Sequence, residues 1–474
     1  MYPVVLVAAF LLTELIEVWP PVTLMLRASV VLITLTILLQ LGLGAVAGRD
    51  RGALLASLFV LSAVDFRIAG LVVLVALLPV LYHSLKQRRL MAVKWSFVTR
   101  IVNVIAVVSF VLGVFNVART AIGAGVPTPV IQARPAADPA AAPDIYLVLL
   151  DGYPRVDTIR EAIGYDNRAF LAEMERFGFD VADESHSNYQ RTVLTLASML
   201  NARHVSDLMP IPPEGYIRQN AQLSSWMREP EAVNVARALG YEFVVIPTFK
   251  VFVTPSAPDR LIDSGHLTEF EFLLQRGGWL GLVARGGQDP WLHAEQRLRI
   301  IDAFGSVTTL AAERAGRPKL VLAHFLTPHH PILFRRDGSL ADVANCTWDD
   351  CPLDDPLSPL MRDALSEQVE YTNELVRRTV REIVDKSPRP PVIIVFGDHG
   401  FRHWLSDDPE TFQNLFMSYT PGHLDLFAEN TTLINVLPRI LNAYLHADLP
   451  LASEDLWVDV ERNGYFPLEP WPGG

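Results

Sequence analysis

Between residues 1 and 120 the apolar positions neither alternate nor recur at helical spacing; they fill whole segments. Uncharged runs at 28–48, 68–85 and 101–118 have the length of a bilayer-spanning helix, about 20 residues. Residues 3–18 form a fourth, provided that Glu14 and Glu17 lie near an interface or face other helices. Residues 53–64 form a fifth that is short for a span. From Asp144 onward the texture changes to short apolar runs separated by amphipathic stretches. Runs at 145–150, 242–246, 320–325, 392–396 and 415–419 predict strands, and stretches such as 167–177, 194–201 and 361–385 predict helices. Residues 414–421 and 431–449 supply a last strand and helix. Strands separated by helices imply crossovers and a largely parallel sheet covered on both faces. The expected fold class is therefore α/β: an N-terminal transmembrane helix bundle followed by a doubly wound, largely parallel sheet domain.

Residues 121–143 are rich in Ala and Pro without periodicity and read as a semi-extended spacer. The expected division is a membrane region at 1–120, a linker at 121–143 and an exported domain at 144–474. Composition agrees with it. A mean hydropathy of +0.25, with 50% hydrophobic residues in 474, places part of the chain in lipid. Residues 1–120 hold ten Lys/Arg and four Asp/Glu, a balance of +6; the remainder holds 30 and 48, a balance of −18. A basic apolar head on an acidic remainder argues for an anchor plus an exposed domain and against nucleic acid as a partner.

Loop charges set the orientation. Arg49 and Arg51 fall in one loop, and Lys86, Arg88, Arg89, Lys94 and Arg100 in another; both are expected on the cytoplasmic side. Two crossings are then needed between residues 52 and 85, so 53–64 crosses. That gives five helices, a cytoplasmic amino terminus and everything after Arg119 outside, in an inner or plasma membrane. Successive apolar runs without a small-residue cleavage site exclude a signal peptide as the explanation.

Three stretches carry chemistry. Residues 391–400, PVIIVFGDHG, are a β-branched run ending in Asp398-His399, as a strand buried on both faces would, with two metal-competent side chains at its carboxyl end. The first expected strand, 145–150, repeats the design by running into Asp151-Gly152. In open α/β sheets, sites lie beyond the carboxyl ends of strands. Thr192 stands at or just before the start of a helical pattern, where free N–H groups favour an anion; it reads as a helix cap or as a nucleophile. A hydroxyl needs a divalent cation or a base to attack at neutral pH. Mixed oxygen and imidazole donors suit Zn²⁺, with Mn²⁺ or Mg²⁺ as alternatives. A histidine cluster, His324, His329 and His330, follows the expected strand 320–325. Cys346 and Cys351, too few for a disulfide framework, pair as one local disulfide on an exported domain.

This ordered set resembles the alkaline phosphatase and sulfatase superfamily, and within it membrane-anchored members such as lipoteichoic acid synthase and the lipid A phosphoethanolamine transferases. The resemblance covers roughly residues 144–450, and the helical head more loosely. It implies that Asp151, Thr192, Asp398 and His399 bind one divalent metal and that Thr192 is also the nucleophile. It implies that His329 binds the substrate phosphate or assists the leaving group, with His330 as a substrate contact and His324 supporting the site. Arg402 and His403 read either as further anion contacts or as surface residues. Thr192-Val193-Leu194-Thr195-Leu196 lacks the Cys/Ser-x-Pro-x-Arg setting that formylglycine requires, which argues against sulfatase chemistry. No second Asp-x-x-x-His set is found, so one metal is expected. The reading is a metal-dependent phosphotransferase or phosphodiesterase acting outside the cytoplasm on a membrane lipid or lipid-linked glycopolymer. Alternatives are hydrolysis of phosphate or sulfate esters and a non-catalytic envelope-binding protein.

Overall fold

A computed structural model of the chain describes residues 2–18, 22–64, 95–123, 142–209, 216–248, 253–268, 271, 290–314, 316–341, 343, 346, 351, 357–400, 409–459 and 468–471. They form two compact units, one of Met1–Pro127 with Leu267–Leu292 and the other of Thr128–His266 with His293–Gly474.

The first unit contains α1 (Tyr2–Val18), α2 (Val22–Ala47), α3 (Arg49–Val64) and α4 (Trp95–Gly123). Gly48, at φ 86°, makes the tight turn between α2 and α3 that a side chain would strain. A Cβ on Gly52 would overlap the backbone of Gly44, so these helices touch through glycine, as small residues allow in lipid. The Thr99 hydroxyl donates to Asp50 at 3.0 Å, joining α4 to α3. Two helical windows, Met25–Ala47 and Phe97–Phe115, are long and apolar enough to cross a membrane. Only 6% of the first is buried, and its outward Leu26, Val30, Val31 and Leu38 would suit lipid. The expected span at 68–85 lies outside the described residues. Residues 267–292, read from sequence as part of the exported domain, fall in this unit: Arg27 of α2 forms a two-pronged ion pair with Glu271. Such pairing depends on the tertiary fold and leaves no periodic trace.

In the second unit the strands are β1 (Ile145–Leu150), β2 (Asp180–Val181), β3 (Glu242–Pro247), β4 (Arg260–Leu261), β5 (Lys319–Phe325), β6 (Val392–Gly397) and β7 (Phe416–Tyr419). They form one sheet in the order β2-β7-β6-β1-β5-β3-β4. β6, β1, β5, β3 and β4 run parallel; at one edge β7 pairs antiparallel with β6, and β2 antiparallel with β7. A separate hairpin pairs β8 (Trp457–Asp459) with β9 (Leu468–Pro470). Among the described residues the helices are α5 (Val156–Ile163), α6 (Arg168–Phe177), α7 (Thr192–Asn201), α8 (Val205–Leu208), α9 (Tyr216–Trp226), α10 (Glu231–Ala238), α11 (Pro290–Ala312, in this unit from His293 onward), α12 (Pro359–Lys386) and α13 (Val436–Leu445).

Strand periodicity divides the core in two. Tyr146, Val148 and Leu150 of β1 pack with α5, α6, α11 and α12, whereas Ile145, Leu147 and Leu149 pack with α7, α10 and α13 on the other face. With both faces buried, β1 and β6 are apolar throughout rather than alternating. Each fully buried aliphatic side chain contributes about 1.5–3 kcal/mol. At the amino ends of β1 and β5, Lys319 is buried beside Asp144, Nζ to Oδ2 3.0 Å, and the Lys319 N–H donates to Asp144 Oδ1 at 2.8 Å. The pair closes the sheet end opposite the site described next.

Candidate metal centre and active site

The carboxyl ends of the three central strands β6, β1 and β5 converge. Asp151 directly follows β1, Asp398-His399 follow β6, and His324 stands in β5 with His329 just beyond it. Asp151 and Asp398 are wholly buried, His399 is 2% exposed and His329 is half-buried. His399 Nε2 lies 3.6 Å from Asp151 Oδ1 and 3.6 Å from Asp398 Oδ2; His329 Nε2 lies 4.0 Å from Asp151 Oδ1. These separations are too long for hydrogen bonds. Donors held about 2.1 Å from a common tetrahedral ion would stand about 3.4 Å apart, close to what is seen.

The donor set fits a metal on two further observations. Asp398 Oδ2 and His399 Nε2 are buried without a hydrogen-bond partner among the described residues, and such groups are costly unless something satisfies them. Both imidazoles are also fixed in one tautomer: His329 Nδ1 donates to the His330 carbonyl at 2.7 Å, and His399 Nδ1 to the Gly400 carbonyl at 2.8 Å. Each Nε2 therefore turns a lone pair toward the carboxylates, the arrangement of ligating histidines. His324 Nε2 bonds Asp151 Oδ2 at 3.1 Å and orients that carboxylate from outside. Gly152 N donates to Asp398 Oδ1 at 2.8 Å, which leaves Oδ2 for the centre.

The glycines of this region are required by close approach. A Cβ on Gly152, which has φ 65°, would lie 3.2 Å from His399 Cε1 and 3.3 Å from His329 Cδ2. A Cβ on Gly397 would overlap the carbonyl oxygen of Tyr153, and one on Gly400 that of Glu410. Gly397→Ala should therefore push the end of β6 away from the loop after β1 and strip Asp398 and His399 from the centre. Purified full-length Gly397→Ala is expected to carry less than a tenth of the wild-type metal by elemental analysis. Gly305→Ala, where the added methyl meets open space in α11, should match wild type. Equal metal in both variants would refute the packing argument.

Thr192 is the first residue of α7 and is buried. Arg191, in the capping position, makes no side-chain cap, so the first N–H groups of α7 have no cap side chain. Arg191 is instead held by Asp459 at 2.6 Å, Gln219 at 2.6 Å and Asn220 at 3.3 Å. The Thr195 hydroxyl donates to the carbonyl of Asp398 at 2.9 Å, fastening the opening turn of α7 to the Asp398 loop. Thr192 shares that helix face, three residues earlier. Behind the centre, Tyr153, Asn167 and Asn373 close a buried ring of hydrogen bonds of 2.6–2.9 Å. Burial raises the Tyr153 phenol far above its ordinary pKa, so it stays a donor.

Of the residues picked from sequence, the structure gathers Asp151 and His399 with His329, expected to serve the substrate, in one cluster, and Asp398 stands next to it, Oδ2 3.6 Å from His399 Nε2. His330 lies half-buried beside it, ring centroids 4.1 Å apart. Arg402 and His403 lie outside the described residues. Cys346 and Cys351 form the disulfide, and Cys346 Sγ accepts the Ile332 N–H at 3.3 Å, behind the histidine loop.

No protein-family model and no curated protein matches the chain. Among solved structures, it is similar to the C-terminal periplasmic domain of EcEptC from Escherichia coli (13% identity, 72% of this chain and 96% of that one, TM-score 0.41), which is also known in complex with Zn. It is likewise similar to the integral membrane lipooligosaccharide phosphoethanolamine transferase A from Neisseria meningitidis (12% identity, 84% and 69%, TM-score 0.42). A putative sulfatase from Bacteroides thetaiotaomicron matches at 10% identity over 67% and 78%, TM-score 0.42.

Proposed function

We propose that this chain is a membrane-anchored, metal-dependent enzyme that transfers or hydrolyses a phosphate-linked group outside the cytoplasm, with Thr192 as nucleophile. The observation that carries the reading is the cluster of Asp151 with two tautomer-fixed imidazoles, His329 and His399, at adjacent strand ends, with Asp398 3.6 Å from His399 and tied by its carbonyl to the start of the Thr192 helix. Asp151, Asp398, His399 and His329 would hold one divalent cation, Zn²⁺ best by donor type. When bound, the ion lowers the pKa of a nearby hydroxyl and offsets charge on phosphoryl oxygens. Thr192 Oγ1 forms the new P–O bond as the bond to the leaving oxygen breaks; its proton passes to solvent. His330, half-buried beside the centre, protonates the leaving oxygen. The uncapped N–H groups of α7 face the anion. An alcohol or water then attacks the phosphorus, its proton passing to His330, as the bond to Thr192 Oγ1 breaks and that oxygen regains a proton from solvent. The apolar helices make a lipid or lipid-linked molecule the natural substrate.

The test uses the full-length protein in detergent with bis-p-nitrophenyl phosphate, p-nitrophenyl phosphate and p-nitrophenyl sulfate, each with and without chelator. Cleavage of the phosphodiester, lost on chelation and restored by Zn²⁺, is expected. Turnover of the sulfate ester alone would transfer the reading to a sulfatase. Silence on all three esters, with no metal bound, would replace it with a binding protein.

A further inference from the structure

The loop that carries His329 cannot hold itself in place. Thr327-Pro328-His329-His330-Pro331 contains two prolines, which have no N–H to give, so its carbonyl groups must find donors elsewhere. They find them in one side chain. Gln368 of α12 is wholly buried, and its Nε2 donates to the carbonyls of Pro328 at 2.9 Å, His329 at 3.0 Å and Pro331 at 3.4 Å. Its Oε1 accepts from the N–H groups of Leu333 at 2.6 Å and Phe334 at 3.2 Å. The partners fix the amide in one orientation, with carbonyls on one side and N–H groups on the other. Only an Asn or Gln amide offers donors and an acceptor from one planar group. One turn along, the Thr372 hydroxyl bonds the Gln368 carbonyl at 2.7 Å and the Thr327 hydroxyl at 2.6 Å, tying the start of the loop to the same helix face.

We propose that Gln368 is a positioning residue for the metal centre: by clamping residues 328–334 to α12 it sets where His329 Nε2 stands relative to Asp151 and His399. The inference rests on the metal reading above but concerns a residue that touches neither metal nor substrate. Besides the clamp, the His329 backbone is held by its N–H, which donates to the Asp151 carbonyl at 3.1 Å. Release of the loop therefore leaves the β6 and β1 donors intact and loosens the β5 one.

The test is a double-mutant cycle on the full-length protein in detergent, read by Zn²⁺ affinity in competition with a chromophoric chelator and by the absorption spectrum of the Co²⁺ form. Gln368→Met keeps the length and removes all five hydrogen bonds. Gln368→Glu keeps the shape but turns an acceptor toward three carbonyl oxygens. Both are expected to weaken Zn²⁺ binding about 10- to 100-fold, the range for outer partners of metal ligands. Both should shift the Co²⁺ spectrum toward that of His329→Ala. In the His329→Ala background, Gln368→Met should cost no further affinity, because the two changes act through one imidazole. An equal loss in both backgrounds would show a general packing role and overturn the proposal, as would unchanged affinity in the single variants. If Gln368→Met does not fold, Gln368→Asn carries the same cycle. A wild-type protein that binds neither Zn²⁺ nor Co²⁺ would remove the centre itself, an outcome distinct from a bound metal indifferent to Gln368.

Discussion

Thr192→Ala in the full-length protein is expected to lower phosphodiester turnover by about 10⁴-fold or more, the scale on which loss of a nucleophile acts. The structure makes the substitution a clean one. Thr192 is the first residue of α7 rather than its cap, and its neighbour Thr195 keeps the bond that fastens the helix to Asp398. Neither the helix nor that tether is lost. Four metal-competent donors are gathered without Thr192, so the variant should retain its metal within a few-fold even as turnover disappears. Thr192→Ser, which preserves a hydroxyl, should recover most of the rate. Rapid quenching with a phosphodiester should leave a phosphorylated peptide containing residue 192, visible by mass spectrometry and absent from the alanine variant. Turnover undiminished in Thr192→Ala would exclude a covalent threonine intermediate and leave a metal-activated water as the nucleophile.

The parts of this site that could be read from sequence are those in which chemistry and punctuation coincide. β1 and β6 are short apolar runs, β6 rich in β-branched residues, that lead into Asp-Gly and Gly-Asp-His-Gly, so both strands and the acidic and imidazole groups at their ends are evident from the pattern. β2 and β4, two residues each, carry no periodicity to detect, and the antiparallel sense of β7 follows from how the chain returns to the sheet edge. Residues 290–312 form a long helix whose apolar positions are spread around its circumference, which hides it from an amphipathic reading. His329 was found by its residue type, but whether it faces substrate or metal depends on which nitrogen its own loop engages, a matter of tertiary hydrogen bonding. Gln368 has no sequence signal at all. It sits in the apolar stripe of α12, where a lone polar residue is informative only once its burial and partners are known.

Asp151→Asn should have the second-largest effect, and on binding rather than on the reaction alone. Asp151 stands at the middle of the centre, with His324 behind it at 3.1 Å and His399 and His329 before it at 3.6 and 4.0 Å. Asparagine preserves size and can keep the His324 bond through its carbonyl oxygen, but it then turns an NH₂ group toward the ion and removes a unit of negative charge. Zn²⁺ affinity should fall by more than about 100-fold, beyond the roughly 10- to 100-fold expected of His324→Gln, which disturbs only the orientation of the carboxylate. Stability gives a second reading. A ligand that binds only the folded state adds about 2.7 kcal/mol at one hundred times its Kd, so chelation should lower the Tm of the wild type. Without metal, the wild type keeps two wholly buried carboxylates close together, whereas Asp151→Asn keeps one. The variant should therefore show almost no chelator-dependent shift, and its metal-free form should melt no lower than metal-free wild type. A full chelator-dependent shift in Asp151→Asn would mean that the ion is held elsewhere, and the centre would have to be rebuilt around Asp398 and His399.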